Sequence, residues 1–339
     1  MHKDVNNHIH TMYSFSPYTP TQAVRKAKEA GLCVAGIVDH DSISGAEEFL
    51  AEAARLEFPA TIGFEMRLYH AHTAIGNRRT NHPDQSDITY LTFHGVPHTK
   101  IAAVDGFLQP VRAARGERNR AMSACLGVDY DRDVLPLSMH KNGGSVTERH
   151  ILFALAKQSY ERLAVLKSEF KDYIPAGREE CPNIETALNF ANENGIIATY
   201  PYLGDVTKSV TGDKKAQAFE DSYLDELIGI LHEMGFRAIS YMPSRNTMEQ
   251  LLRLRALCEK FGMLQISGED INSPSQPFVC LAMRDPAFSN LYDTTWALIG
   301  HELAATQRIS DGFMSQDIPL NEKISHFSKL GRSAHNALD

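Results

Sequence analysis

The chain has 339 residues, 43% of them hydrophobic, which is enough for one large α/β domain or two modest ones with a well-buried core. Mean hydropathy is −0.29, and no apolar run reaches the ~20 residues that a membrane span needs. A formal net charge of −8 argues against a sequence-blind nucleic-acid binder with a broad basic surface, and it leaves small anionic substrates open.

The opening MHKDVNNH has no apolar stretch of the secretory kind. Five cysteines (Cys33, Cys125, Cys181, Cys258 and Cys280) are scattered without a CxxC, which reads as reduced thiols and predicts a cytoplasmic protein. There are 15 histidines, so their placement along the chain is informative.

Val5–Ile9 is a short strand. The helix that follows has Thr19 as N-cap, Pro20 at N1, Gln22 completing a capping box and Gly31 closing it. CVAGIVDHD is an apolar strand ending in charge. SGAEEFLAEAARL is a helix with Ser44 and Glu47 as its capping box, and ATIGFEMRLY is a strand that carries Glu65. Residues 70–87 form a polar loop, and DITYLTFHG returns to strand alternation. Residues 101–125 are helical. Gly143–Gly144 opens SVTERHILFALA, a helix with Ser145 and Glu148 as a third capping box, and 157–181 is helical or irregular. NIETALNFANENG, AQAFEDSYLDELIGILHEMG and TMEQLLRLRALCEKFG then alternate as helices with the strands IIATYPY, FRAISYM and MLQISGEDI. After Ala287 one helix, DTTWALIGHELAAT, precedes a polar end. About seven strands emerge, and strand–helix–strand repetition predicts parallel pairing with right-handed crossovers.

Reactive residue types recur where these strands end: His8 and His10, Asp39-His40-Asp41, Glu65, His94, Tyr200 and Glu269-Asp270. In a closed β/α barrel all such ends meet on one face. His8 and His10 share a face of their strand because side chains alternate with period two. Imidazole nitrogens with carboxylate oxygens suit a borderline divalent cation, and a bridging carboxylate such as Glu65 holds two ions about 3.5–4 Å apart. Each element alone has a plainer explanation, such as a solvated HxH, a polar turn or a surface Glu. The succession of strands ending in His, Asp or Glu is what points to metal.

The order and spacing resemble the PHP (polymerase and histidinol phosphatase) family of metal-dependent phosphoesterases, over most of the chain. The opening D-x-H-x-H-T of that family is matched by NNHIHT, with Asn6 in place of the Asp and His8, His10 and Thr11 retained. T-D-H is similar to VDHD (His40), G-x-E to GFE (Glu65), and G-S-D-x-H to GEDIN (Asp270, with Asn272 for the final His). A-H-P becomes TYP, so Tyr200 stands for a His ligand, and Ser16 stands near a usual acidic or His ligand. The His after the fourth strand is matched by His94, with Tyr90 and His98 as competitors.

The resemblance implies a distorted (β/α)7 barrel of PHP type with a largely helical insertion. The barrel is expected at 1–96 and 182–285, the insertion at 97–181, and a C-terminal extension packed on the barrel at 286–339. It implies a metal set of His8, His10, His40, Glu65, His94, Tyr200, Asp270 and Asn272. That set would hold two divalent ions (Zn, Mn or Fe), and a third site keeps His40 but loses its partners. GSVTERHILFALA resembles a stretch in which Arg and His begin a helix over the site, which places Arg149 and His150 at the substrate; Arg245 in MPSRN is a further phosphate candidate.

The expected chemistry is hydrolysis of a small phosphorylated metabolite or nucleotide by metal-activated water, with His40 or Asp39 moving the proton. Two alternatives stand beside it: a metal-dependent hydrolase of another bond, suggested by the altered ligands, and a degenerate domain that binds without turnover. His150 can instead cap its helix, and Arg149 and Arg245 can be surface residues. His70, His72 and His82 belong to a polar loop and read as solvated, although one of them can reach the site. His301 reads as a helix-face residue.

Overall fold

The computed structural model describes residues 4–169, 174–208 and 215–335. In chain order its elements are β1 (Val5–Ile9), α1 (Pro20–Glu29), β2 (Val34–His40), α2 (Ala46–Arg55), β3 (Ala60–Tyr69), β4 (Ile88–His94), α3 (Ile101–Cys125), α4 (Glu148–Leu155), α5 (Tyr160–Glu169), α6 (Ile184–Glu193) and β5 (Ile197–Pro201). Then come β6 (Val206–Lys208), β7 (Lys215–Gln217), α7 (Leu224–Glu233), β8 (Ala238–Tyr241), α8 (Met248–Lys260), β9 (Leu264–Ser267), α9 (Asn290–Gln307) and α10 (Leu320–Ala334).

Seven strands form one sheet in the order β1-β2-β3-β4-β5-β8-β9, and β6 and β7 make a separate hairpin. The sheet curls until β1 meets the chain just after β9. His10 N donates to Ile271 O at 2.9 Å, and Ile271 N donates to His8 O at 3.1 Å. The result is a nearly closed, distorted β/α barrel, as expected. Apolar strand faces such as Val34, Ile37, Phe64 and Phe93 pack under helix faces such as Ala23, Val24 and Ala27 of α1 in one continuous core.

One strand runs against the expectation of parallel pairing. β4 is antiparallel to both β3 and β5. The polar loop between β3 and β4 carries no crossover helix, so the two strands pair as a long hairpin; a parallel pair needs a dozen or more connecting residues, usually with a helix, to bring the chain back. β3 also continues past Glu65 to Tyr69, because residues 63–69 pair with β4, so Glu65 lies within its strand.

Local signals also shifted. The Thr19/Gln22 box on α1 is present. α2, however, starts from Gly45 with no side-chain cap, and α4 is capped by Thr147 with His150 as its reciprocal partner, where Ser145 and Glu148 were expected. α7 begins at Leu224, because Ala216 and Gln217 belong to the hairpin. Of the segments expected to be irregular or polar, 170–173 and 336–339 lie outside the described residues, whereas α5 and α10 are regular helices.

α9 closes the base of the barrel. Asn7 donates to Ser267 Oγ and Thr295 Oγ1 at 2.9 and 2.7 Å. Glu302 accepts from Thr61 Oγ1 and from Ile62 N. His301 is fully buried: its Nε2 lies 3.0 Å from Gly95 O and its Nδ1 accepts from Phe313 N. His301 is thus a structural residue of the helix, as its sequence context suggested.

Candidate metal centre

At the other end of the barrel a cavity of about 500 Å³ opens, lined by His8, His40, Glu65, Arg149, Arg245 and Asp270 among others. β1 carries His8, His10 follows one residue past its end and also approaches Glu65, β2 ends at His40, and β2–β3 register sets His40 beside Glu65. Asp270 follows β9, and its neighbour Ile271 is pinned to β1. Thr11 and Ser14 form the turn after β1, and Asp39 holds that turn by accepting from Thr11 N, Thr11 Oγ1 and Ser14 Oγ at 2.7, 2.5 and 2.6 Å.

Glu65 Oε2 is the hub. It lies 3.4 Å from His8 Nε2, 3.8 Å from His10 Nε2 and 3.3 Å from His40 Nδ1, and His10 Nε2 is 3.3 Å from Asp270 Oδ1. Donor atoms of His8, His10 and Glu65 all lie within 4.8 Å of one another. Four donors placed tetrahedrally at the usual ~2.0–2.2 Å from a zinc-like ion stand roughly 3.4 Å apart, so the spacing fits a cation among them. His40 Nδ1 is buried with no hydrogen-bond partner, which also fits a waiting acceptor.

Electrostatics agree with this geometry. Burial, and then His10, Arg115 and Arg149, hold His40 well below its ordinary pKa, so its imidazole stays neutral. Burial disfavours a charge on Asp270, yet His10, His8 and Arg149 together keep it ionised, below the ordinary carboxylate range. For His8 burial is the largest influence and opposes the proton, but Glu65, Asp270 and Asp39 outweigh it and raise the pKa.

Several expected residues stand elsewhere. Tyr200 is not on the cavity. Glu65, Thr92 and Thr199 are cross-strand partners and share the inner face, so Tyr200, one residue on, points outward into the hydrophobic core. Burial then pushes its hydroxyl well above the ordinary value, and a tyrosinate ligand does not fit there. Asn272 does not line the cavity; its amide nitrogen donates to Asp270 Oδ1 at 2.7 Å and holds that carboxylate from behind. Asp39 is spent on the turn after β1 and is not placed to move a proton. His150 stacks edge-on against Phe15 at 5.1 Å and gives its Nδ1 to the α4 cap, off the cavity lining.

His94 is buried in the barrel interior, one inward-facing step below Glu65, because β4 runs toward the base. Its Nε2 has no partner, and burial followed by His8 lowers its pKa to about 3. Among its competitors Tyr90 lines the cavity, whereas His98 pairs with Glu302 at 3.2 Å at the base. Asn6 accepts from His8 N at 2.9 Å and Ser16 from Tyr18 N at 3.4 Å, so both serve the local backbone.

Sequence reasoning missed part of the wall. The loop histidines read as solvated, but His82 is buried on the cavity wall, the one of them that reaches the site, and stacks on Tyr90 at 5.1 Å; His70 is also buried, and His72 pairs with Glu185. Arg67, Arg118 and Glu148 also line it. Arg67 lies two residues beyond Glu65 on β3, and period two would have placed it on the same face. Arg115 and Arg118 are one helical turn apart on α3, a spacing that marks a shared face. These arginines are matched by Glu148, Glu180 and Asp41 in one buried network. Burial opposes the charge on Glu148, but Arg115, Arg67 and Arg118 hold it well below the ordinary range.

No helix among the described residues is long and apolar enough to cross a membrane, and none of the five cysteines is in a disulfide.

Comparison with known proteins places this geometry in a family. The PHP domain profile matches residues 6–238. A 3′,5′-nucleoside bisphosphate phosphatase of Chromobacterium violaceum is 20% identical over 281 residues, 80% of this chain and 88% of that protein. An error-prone DNA polymerase of Mycobacterium tuberculosis is 38% identical over 79 residues, 23% of this chain, and the match spans 7% of the polymerase's length. Among solved structures, a putative metal-dependent phosphoesterase from Bifidobacterium adolescentis superposes with a TM-score of 0.62 at 20% identity, covering 81% of this chain and 90% of the other. An amidohydrolase from Chromobacterium violaceum gives 0.61 at 18% identity, covering 82% and 90%. With the profile spanning most of its barrel, the chain belongs to the PHP domain family.

Proposed function

We propose that the protein is a metal-dependent phosphoesterase acting on a small phosphorylated metabolite or nucleotide. The observation that carries this reading is the convergence of His8, Glu65 and Asp270 on one cavity wall, with His10 directly behind them against Glu65 and Asp270 and with Arg149 on the same wall. A divalent cation held by those four side chains supplies Lewis acidity toward a phosphoryl oxygen and toward water.

Arg149 and Arg245 take the anionic part of the substrate, their planar guanidinium groups matching phosphate geometry. His40, whose Nδ1 faces Glu65, stays neutral because burial, His10, Arg115 and Arg149 disfavour its charged form, and it holds a proton at Nε2 that it can pass on. The segment 97–181 shapes the pocket, since Arg118, Arg149, Leu152 and Ile174 on the wall all come from it. At about 500 Å³ the cavity is in the range typical of small-molecule sites, so the ester has an organic portion.

Metal analysis and a panel of phosphate monoesters test the reading. Asp270→Ala is expected to lose bound metal and to lower turnover by at least 100-fold. Unchanged turnover in that variant, or a wild-type protein that binds no divalent metal, overturns it.

A further inference from the structure

We infer that Arg115 is a positioning residue that keeps His40 and Arg149 in register across the cavity, acting through Asp41 and Glu148. This rests on the phosphoesterase reading above only in what the two positioned residues do. The geometry stands by itself.

His40 ends β2, and the next residue, Asp41, turns the chain with φ of +52°. A left-handed backbone at a non-glycine residue costs on the order of 1 kcal/mol or more and persists only where its surroundings hold it. Here they do. Asp41 N donates to Glu65 O at 2.7 Å, and Asp41 O accepts from Arg112 Nη1 at 3.1 Å. The Asp41 carboxylate accepts from Arg115 Nη1 at 2.5 Å, with both side chains under 5% exposed. Ser42 Oγ donates to Gly143 O at 2.8 Å. Every one of these ties except that to Glu65 comes from the stretch between β4 and β5.

The same guanidinium reaches the other side. Arg115 Nη2 donates to Glu148 Oε2 at 2.5 Å, and Glu148 is the first residue of α4, next to Arg149. The path is therefore His40–Asp41, Arg115, Glu148–Arg149, with one fork joining two carboxylates from separate elements. A lysine ammonium lacks that fixed fork and cannot reproduce both bonds in the same geometry. Arg67 and Arg118 reinforce Glu148 through Glu180 and direct pairing.

The test compares wild type with Asp41→Asn, Arg115→Lys, His40→Ala and the His40→Ala/Arg115→Lys double variant. Asparagine is isosteric and tolerates the left-handed turn. Two readouts are taken: kcat/KM on the best phosphate monoester of the panel, and histidine side-chain ¹H–¹⁵N NMR of metal-free protein, with His40 assigned by its loss in His40→Ala. The positioning role predicts a fall of about tenfold or more in kcat/KM for Asp41→Asn and Arg115→Lys. The double variant should be less impaired than the product of the single losses, because both act through His40. The His40 resonance should move or broaden in both variants while that of His301, at the barrel base, stays.

Losses that multiply, an unmoved His40 signal, or an Asp41→Asn chain that does not fold each overturn the proposal in favour of a purely structural ion pair. A wild-type protein without turnover on any phosphate monoester sinks the phosphoesterase reading instead, and the NMR comparison then decides the positioning role alone.

Discussion

Asn272 illustrates how much a single side chain's direction decides. Its place in GEDIN suggested a ligand, but its amide faces Asp270 and orients the carboxylate. Groups that orient a ligand typically contribute 10–100-fold to metal affinity. Asn272→Ala should therefore weaken Mn²⁺ binding by about that factor in calorimetric titration, whereas Asp270→Ala removes it. Glu220 makes a second residue-scale case. It is fully buried, its Oε1 accepts from Leu203 N at 2.9 Å, and its Oε2 has no partner. Burial raises its pKa to about 7. A carboxyl with a raised folded-state pKa binds more protons folded than unfolded, so stability falls as pH climbs from about 4.5 to 7. Glu220→Gln should remove that fall, gaining on the order of 1–3 kcal/mol at pH 8 and little at pH 4, measured by thermal melts at both. That His8, His10, Glu65 and Asp270 lie together was legible because their types and strand positions sufficed. Tyr200 and Asn272 were not, because facing depends on cross-strand register.

At the scale of elements, the antiparallel β4 is the largest departure from the expected pattern. Its alternation reads the same in either direction, and only the absence of a helix between β3 and β4 hints at the reversal. That reversal carries His94 toward the base and brings Tyr90 and His82 to the cavity. The second departure is the pair α9 and α10, where a polar end was expected after one helix. Their axes approach through glycines: a Cβ on Gly331 would stand 2.3 Å from Trp296 O, and one on Gly300 2.0 Å from Phe327 O. Backbone that close has no room to yield, so Gly331→Ala should lower stability by about 1–3 kcal/mol. Thermal unfolding checks this, and an unchanged midpoint would show that α10 is not held against α9.

For the whole molecule, the barrel concentrates charge at one end. Three imidazoles, two carboxylates and an arginine network converge where the strands β1, β2 and β9 terminate, while α9 closes the base. A ligand that binds only the folded chain stabilises it by mass action, about 4 kcal/mol at a thousandfold excess over its Kd. Mn²⁺ or Zn²⁺ should therefore raise the melting midpoint of the chelator-treated protein, and Glu65→Gln should abolish most of the rise. An equal rise in both would place the cation elsewhere.

The barrel class and the core of the candidate metal centre could be read from the chain alone. Hydrophobic periodicity, helix caps and the recurrence of His and carboxylate at strand ends are local properties, each written within a few neighbouring residues. Tertiary structure decided the direction of β4, the outward turn of Tyr200, the withdrawal of Asp39 and His150 into structural hydrogen bonds, and the buried Arg115 fork between Asp41 and Glu148. Those outcomes depend on which strand pairs with which, and on contacts spanning 33 to 74 residues in the case of Arg115. No local pattern encodes partners that distant, and only the closed fold brings them together.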